Sequence, residues 1–214
     1  MSDIFQEVDE ELRRENFAKL WARFGKYVIA LAVLVVLATG GVSQWRKYQL
    51  HQRELEGARY IAALALAQQG KDKDAADAFA AIAREAGGGH ATLARFEAAA
   101  LQARSGNVDG AIAAYAALAA DGTVDSVYRD LATLLWAELS LKNGDPKAII
   151  DKLASFTPAE NPWRPTALEL TALAELKAGN KPQARTVYQQ IADDLLAPQS
   201  ARARASEMLT ALAE

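Results

Sequence analysis

The 214-residue chain contains no cysteine and only two histidines, His51 and His90. Without cysteine there can be no disulfide framework, no thiolate metal site and no cysteine nucleophile. The histidines are far apart in sequence, so a histidine-rich metal site is not expected. We predict that the chain has no catalytic, cofactor-binding or metal-binding residues. The absence of cysteine leaves the redox compartment open.

The sequence also lacks a basic tract and a phosphate-binding loop. Lys and Arg total 24 against 27 Asp and Glu, which argues against nucleic acid as the main partner. The triple glycine Gly87–Gly89 is followed by His90 and not by Lys-Ser or Lys-Thr, so we interpret it as a linker between helices. The pair Asp193 and Asp194 fits a solvated helix face, because helical neighbours point about 100° apart. These absences predict a protein that is not an enzyme.

Alanine is abundant instead, at 47 of the 214 residues. Alanine has the highest helix propensity, and runs of the β-branched residues typical of strands are few. The composition therefore predicts an all-α fold.

A run of 19 uncharged residues extends from Tyr27 to Trp45. As a helix it would be roughly 28 Å long, close to the ~30 Å hydrocarbon core of a bilayer. Tyr27 and Trp45 lie where interfacial aromatics are found, and Arg46 and Lys47 follow as basic anchors. We predict a transmembrane helix at residues 27–45. A cleaved signal peptide and a buried core helix are the alternatives, and the long, partly acidic stretch before the run argues against the first.

Residues 1–26 are predicted to form a cytoplasmic amphipathic segment. Phe17, Leu20, Trp21 and Phe24 recur at helical spacing with bases between them, which suits a helix in the headgroup region. A basic flank that only sets topology is the alternative. Within about 15 residues of the run, five bases before it and four after it favour a cytoplasmic N-terminus by a small excess. The remaining residues, 46–214, are then expected outside the cytoplasm.

Turn glycines recur through residues 46–214 at a regular period. Gly70, Gly106, Gly144 and Gly179 are 36, 38 and 35 residues apart, a period typical of solenoids built from helix pairs. Each glycine is expected to take the left-handed conformation that ends one helix and starts the next.

The positions around these glycines repeat as well. An alanine stands seven residues before each glycine and would let paired helices approach closely, and a large residue stands nine after it and would fill the groove between neighbours. These repeat-packing residues are Ala63, Ala99, Ala137 and Ala172 before the glycines, and Phe79, Tyr115, Leu153 and Tyr188 after them. We predict helix pairs at about 49–69 with 74–85, 91–105 with 108–120, 125–143 with 145–155, and 165–178 with 181–195, then a closing helix at about 198–213. Arg202, Arg204 and Glu207 would form a polar cap face on that last helix.

The offsets resemble the tetratricopeptide repeat, which has a small residue, a turn glycine, an alanine and an aromatic at these places, although the early Trp-x2-Leu signature is missing.

The whole chain is similar to the YfgM-like family of ancillary Sec translocon subunits, in its alphaproteobacterial form. The matching segments are Ile4–Arg13, the cluster Trp45–Tyr48, and Gly179–Arg185. The resemblance implies a single-span inner-membrane protein with a cytoplasmic N-terminus and a periplasmic tetratricopeptide-like repeat domain, and it does not imply an enzyme activity. It also implies two partners, the SecYEG translocon and a membrane-anchored periplasmic chaperone.

The sequence therefore predicts a membrane-tethered protein-interaction scaffold that contacts emerging secreted or outer-membrane polypeptides. The alternative is an envelope-assembly or cell-division coordinating factor that oligomerises through its repeats. Trp163, between Pro162 and Pro165, is a candidate partner contact, and packing on the last helix pair is its alternative role.

Overall fold

The computed structural model describes the backbone of residues 3–213, and the side-chain surroundings of residues 21–213 other than 28, 30 and 32. Over residues 3–213 all the regular secondary structure is helical, which confirms the all-α part of the predicted fold class. The helices are α1 (Asp3–Gln68), α2 (Asp72–Glu85), α3 (Gly88–Arg104), α4 (Val108–Ala120), α5 (Ser126–Ser140), α6 (Pro146–Leu153), α7 (Arg164–Lys177), α8 (Lys181–Asp193) and α9 (Gln199–Ala211), with one 3₁₀ turn at Ala154–Phe156. The ends of α2–α9 all lie within three residues of the predicted ones.

The chain divides into two compact units, Met1–Leu55 and Glu56–Glu214. The division falls within α1, beyond the predicted domain boundary at residue 46, which stays a prediction. In the part of the chain that the structure describes, no helix is both long and apolar enough to cross a membrane, so the span predicted at residues 27–45 is not supported there. Phe17 and Leu20 of the predicted amphipathic segment lie outside the residues whose side chains are described.

Three of the four turn glycines adopt the left-handed conformation that the sequence predicts. Gly70, Gly106 and Gly179 follow α1, α3 and α7 with φ angles of 73°, 90° and 82°. The residue after each glycine donates its backbone N–H to a carbonyl five residues earlier, at 3.0, 2.9 and 2.8 Å. This is the helix-ending motif that glycine favours, because a Cβ is strained at positive φ. Three-residue connections of one geometry therefore join these helix pairs.

Gly144 does not adopt a positive φ, and the prediction for it is wrong. The connection from α5 to α6 has five residues, so the chain can turn without a left-handed residue. Asp145 caps α6 by accepting the Lys147 N–H at 3.1 Å, and Pro146 begins the helix. Gly144 donates its N–H to the Ser140 carbonyl at 2.7 Å. A Cβ on Gly144 would lie 2.8 Å from that oxygen, so this turn requires a glycine for close approach.

The glycine triplet is less of a break than predicted. α3 already begins at Gly88, with φ 57°, so only Ala86 and Gly87 connect it to α2. His90 in the first turn of α3 lies 3.4 Å from the Glu56 carboxylate through Nδ1, and its side chain is 35% exposed. His90 is therefore half-buried, because the start of α3 packs against α1.

Replacing Gly179 with alanine should lower the free energy of unfolding by about 1 kcal/mol, since a left-handed L-residue costs roughly 1–2 kcal/mol. Gly122→Ala is the matched control, because φ there is not positive and no atom lies within 4 Å of the added Cβ. Its effect should stay within about 0.5 kcal/mol. Urea unfolding followed by circular dichroism measures both variants, and equal effects would contradict the assigned turn geometry.

The apolar core of residues 56–213 is a series of four clusters, each built by three consecutive helices. Phe79 lies in the cluster of α1–α3, Leu118 in that of α3–α5, Leu153 in that of α5–α7, and Tyr188 in that of α7–α9. Each helix pair is thus completed by the first helix of the next pair. This is how a solenoid buries apolar surface that a single pair leaves exposed.

The alanines and large residues that the sequence singles out all lie inside these clusters. The alanines are 0–1% exposed and the large residues 0–4%. Each alanine shares its cluster with the large residue sixteen positions later: Ala63 with Phe79, Ala99 with Tyr115, Ala137 with Leu153, and Ala172 with Tyr188. The same pairing of a small and a large residue within one cluster therefore recurs in every repeat, and a larger side chain at the alanine would push the helices apart.

Candidate functional site

Within Glu56–Glu214, the first helices of successive pairs lie side by side. Tyr60 of α1 donates its hydroxyl to the Glu97 carboxylate of α3 at 3.3 Å. The rings of Phe96 on α3 and Tyr128 on α5 are 6.2 Å apart. We call the surface formed by α3, α5, α7 and the end of α1, on the side away from α2, α4, α6 and α8, the first-helix face.

Large apolar side chains are exposed on the first-helix face. Ile61, two positions before the buried Ala63, is 64% exposed, and Leu93, six positions before the buried Ala99, is 36% exposed. On α5 the equivalent positions are Leu135 and Leu131. A patch of exposed apolar side chains on a protein surface often marks an interaction site.

A groove of about 490 Å³ runs along this face between α5 and α7, and we call it the α5–α7 groove. Its walls are mainly leucines. It is lined by Leu131, Leu134, Leu135, Glu138 and Leu141 from α5 and its C-terminal end, and by Trp163, Thr166, Glu169, Leu170 and Leu173 from the region of α7. An apolar channel with a few polar groups at its edge is the usual form of a binding site.

The carboxylates on the first-helix face differ in their pairing. Glu169 accepts two hydrogen bonds from Arg204 of α9, at 2.9 and 2.7 Å. Among the described residues, no lysine or arginine forms an ion pair with Glu97 or Glu138. The α3 and α5 part of the face therefore carries negative charge that the described residues leave unneutralised.

This negative charge helps to raise the pKa of two tyrosines. Burial, and then the Glu97 carboxylate, raises the pKa of Tyr60 to about 12. The pKa of Tyr115 is also raised, first by burial and then by Glu97 and Glu138. A nearby carboxylate disfavours the phenolate because both are negative. The negative charge of both glutamates therefore adds to burial in raising the pKa of Tyr115.

Glu97→Gln should lower the pKa of both tyrosines toward the ordinary value near 10, because it removes a negative charge and leaves the burial in place. NMR titration of chains labelled with ¹³C at tyrosine Cζ measures the change, and Tyr60→Phe assigns the resonance. Glu207→Gln, on the exposed side of α9, is the control and should leave both values where they are. Unchanged tyrosine pKa values in Glu97→Gln would show that the carboxylate does not act on them.

A second cleft of about 370 Å³ lies between α7 and α9. Four of its charged side chains pair with one another, Arg164 with Asp194 and Arg204 with Glu169. Arg204 of the predicted polar cap on α9 is 55% exposed and reaches back to Glu169 of α7, and the cap itself stays a prediction. The prediction of a solvated face is wrong for Asp194, whose side chain is only 15% exposed. Asp193 is exposed and accepts a hydrogen bond from Gln189.

Trp163 has both a packing role and an open edge. It is half-buried against the cluster of α5–α7, and it also lines the α5–α7 groove. Its backbone N–H donates to the Asn161 side chain at 2.8 Å, which fixes the start of α7. The tryptophan therefore packs one pair earlier than the sequence suggests, and its role as a partner contact stays a prediction.

The residues predicted to anchor the chain in a membrane lie in Met1–Leu55 and are all exposed. Tyr27 is 63% and Trp45 62% exposed, and Arg46 and Lys47 follow at the surface. The rings of Trp45 and Tyr48 are 6.2 Å apart. The assignment of these residues as membrane anchors stays a prediction.

Among the described residues, no three His, Asp or Glu side chains are placed to hold a metal ion. His51 is exposed and lies 3.8 Å from Glu54. The residues that sequence reasoning missed are the apolar ones on this face, the exposed Ile61 and Leu93 and the half-buried Leu131 and Leu135. A usable signal was present, because they stand two and six positions before the repeated alanines.

The comparisons with known proteins agree with this architecture. Residues 18–213 match the family model described as a tetratricopeptide repeat-like domain. A crystal structure of nearly identical TPR-like repeats, from a protein assigned as a kinesin light chain of Podosopora anserina, superposes with a TM-score of 0.57 at 16% identity. The match covers 72% of this chain and 83% of that one. At this identity the likeness shows a shared fold alone. No curated protein gives a significant match. Repeats of this kind are typically non-catalytic surfaces for protein–protein interaction, and this chain belongs to the tetratricopeptide repeat-like domain family.

Proposed function

We propose that the protein is a membrane-tethered interaction scaffold of the bacterial inner membrane, an ancillary subunit of the Sec translocon. Its first-helix face would bind a membrane-anchored periplasmic chaperone and polypeptides emerging from SecYEG. The observation that carries the scaffold role is the α5–α7 groove, a leucine-lined channel on exposed helices. Repeats that present such a face commonly act by contact alone.

The tether rests on the sequence and on exposed side chains. The segment from Tyr27 to Trp45 has no charge. Leu31, Leu34 and Leu37 within it are 63%, 62% and 70% exposed, and exposed aliphatic side chains at this density call for a covering partner. A lipid bilayer supplies one, with the N-terminus in the cytoplasm and residues 46–214 in the periplasm. A tether would also raise the local concentration of the face at membrane complexes.

The link to the translocon rests on resemblance. The segments Ile4–Arg13, Trp45–Tyr48 and Gly179–Arg185 are similar to the YfgM-like family, whose members accompany SecYEG. Neither the groove nor the fold selects this complex over another envelope complex, so the test must identify the partner directly.

The membrane topology can be tested by cysteine labelling, because the chain has no cysteine of its own. The exposed Ser155 can be changed to give a single labelling site in the repeat domain, and Ser2 can be changed to give one near the N-terminus. With a membrane-impermeant maleimide on spheroplasts, we expect Ser155→Cys to react and Ser2→Cys to react only after lysis. Equal labelling of the two cysteine variants before lysis would contradict a chain that crosses the membrane between residues 2 and 155.

Partners can be tested by photo-crosslinking in living cells from Leu131 in the groove and, as a control, from the exposed Ala113 of α4. We expect a translocon subunit or a periplasmic chaperone among the Leu131 adducts and not among the Ala113 adducts. If Leu131 captures only division or outer-membrane assembly proteins, or a second copy of this chain, the envelope-assembly role replaces the translocon role.

A further inference from the structure

We infer that the α5–α7 groove, with the carboxylates beside it, binds an amphipathic polypeptide segment that carries leucine-sized apolar side chains and at least one lysine or arginine. This inference rests on the proposed function and names the chemistry of the partner segment. The occupant is a segment of another protein, recognised by apolar burial along the groove and by a positive charge at its α5 edge.

The apolar part of the recognition comes from side chains that the fold leaves half-covered. Leu131 and Leu135 on α5 and Leu173 on α7 are partly exposed, while their neighbour Leu134 is 4% exposed and belongs to the core. The groove thus has a packed floor and open walls. Its volume of about 490 Å³ is within the range of roughly 300–1,000 Å³ typical of binding pockets.

The charged part comes from Glu138, which lines the same groove and is exposed. Among the described residues no cation forms an ion pair with it, whereas Glu169 on the opposite wall is already held by Arg204. Glu97 on α3 adds a second carboxylate whose described partner is the Tyr60 hydroxyl, a neutral group. A cationic side chain at the α5 wall of the groove would meet the Glu138 carboxylate, and Glu97 adds negative charge on the neighbouring α3.

This charge pattern separates the proposed occupant from others. An acidic segment would bring like charges together beside apolar walls, where solvent screens them less than in water. A fully apolar segment would leave the carboxylates without a partner. The complementary segment is both apolar and basic, and charge complementarity sets selectivity among segments of similar hydrophobicity.

The test uses the purified full-length chain in nanodiscs of zwitterionic lipid and three fluorescein-labelled 14-residue helical peptides. The first contains alanine, leucines four residues apart and two lysines. The second has glutamate at the lysine positions, and the third has serine at the leucine positions. Binding is measured by fluorescence anisotropy, with empty nanodiscs as the blank.

We expect the leucine–lysine peptide to bind at least about tenfold more tightly than the other two. Glu138→Lys should weaken its binding by about tenfold and should improve binding of the glutamate peptide, because the charge preference is reversed. Glu207→Lys, the same substitution on the exposed side of α9, should leave binding within about twofold. Circular dichroism spectra and melting curves check that both variants keep the fold.

Three results would overturn the inference: equal binding of the lysine and glutamate peptides, equal effects of the two charge reversals, or a groove filled by a second copy of the chain. A sedimentation coefficient that rises with protein concentration would identify the second copy, if Glu138→Lys abolishes that concentration dependence. If the peptides do not bind but Leu131 still crosslinks to translocon or chaperone subunits, this inference fails and the proposed function stands. If the peptides bind as expected and Leu131 yields no such adducts, the segment chemistry stands and the translocon role fails.

Discussion

Leu118→Ala should lower the free energy of unfolding by about 2–5 kcal/mol, the range for leucine-to-alanine changes in cores. Leu118 is completely buried in α4 and packs with Phe96 of α3, Tyr115 of α4 and Val124 in the following loop. Its removal takes apolar contacts from a cluster built by three helices and leaves a cavity. Urea denaturation of the full-length chain, followed by circular dichroism, gives the change.

The same deletion on the surface is the control for this prediction. Leu195, between α8 and α9, is 85% exposed, so Leu195→Ala should change the free energy of unfolding by less than about 0.5 kcal/mol. Hydrogen exchange adds a spatial readout. In the Leu118 variant, protection should fall most in α3–α5, because a solenoid transmits a local loss mainly to neighbouring repeats. Comparable losses in the two variants would contradict the assigned core.

The ion pair of Arg164 and Asp194 should produce the second large effect. Its side chains are only 20% and 15% exposed. Arg164 also donates from Nε to the Thr157 carbonyl at 2.9 Å, and Asp194 accepts the Leu196 N–H at 2.9 Å. Either Arg164→Met or Asp194→Asn leaves its partner charged in a poorly hydrated place. Each should cost about 2–4 kcal/mol, near the value for broken buried pairs.

The double variant provides the decisive comparison. With both charges gone no uncompensated ion remains, so the double variant should be more stable than the sum of the single losses predicts, by about 1–3 kcal/mol. The exposed pair of Lys147 and Asp151 is the matched control, with side chains 79% and 64% exposed, and its coupling should be below about 1 kcal/mol. Strict additivity at Arg164 and Asp194 would show that the pair does not act as a unit.

Much of the fold could be predicted because the repeat is specified by local rules. Each repeat has three positions at fixed offsets: a glycine for a left-handed turn, a small residue between paired helices, and a large residue that fills the groove between neighbours. Each of these requirements involves one turn or one helix contact. Ala63 with Phe79, and Ala172 with Tyr188, are contacts of this kind. Gly144 departed from the rule because its connection is two residues longer, which removes the need for a positive φ.

The candidate site was harder to predict because its parts come from different repeats. Glu169 meets Arg204 across 35 residues, and Arg164 meets Asp194 across 30. No periodicity within one helix encodes such pairs. The first-helix face was also hidden, since alanine is compatible with both buried and exposed positions and so blurs the two sides of an alanine-rich helix. Ile61 and Leu93 become informative only when the buried alanines beside them are known.

The sequential clusters also determine how this domain can fold. Because each cluster joins only consecutive helices, nearly all stabilising contacts close short loops, and relative contact order is low. Folding can then begin at the first completed triplet of helices and proceed as further helices arrive, without waiting for the C-terminus. A chain delivered gradually, N-terminal end first, as it would be from a ribosome or through a narrow channel, would never have to hold more than about one incomplete repeat exposed to solvent.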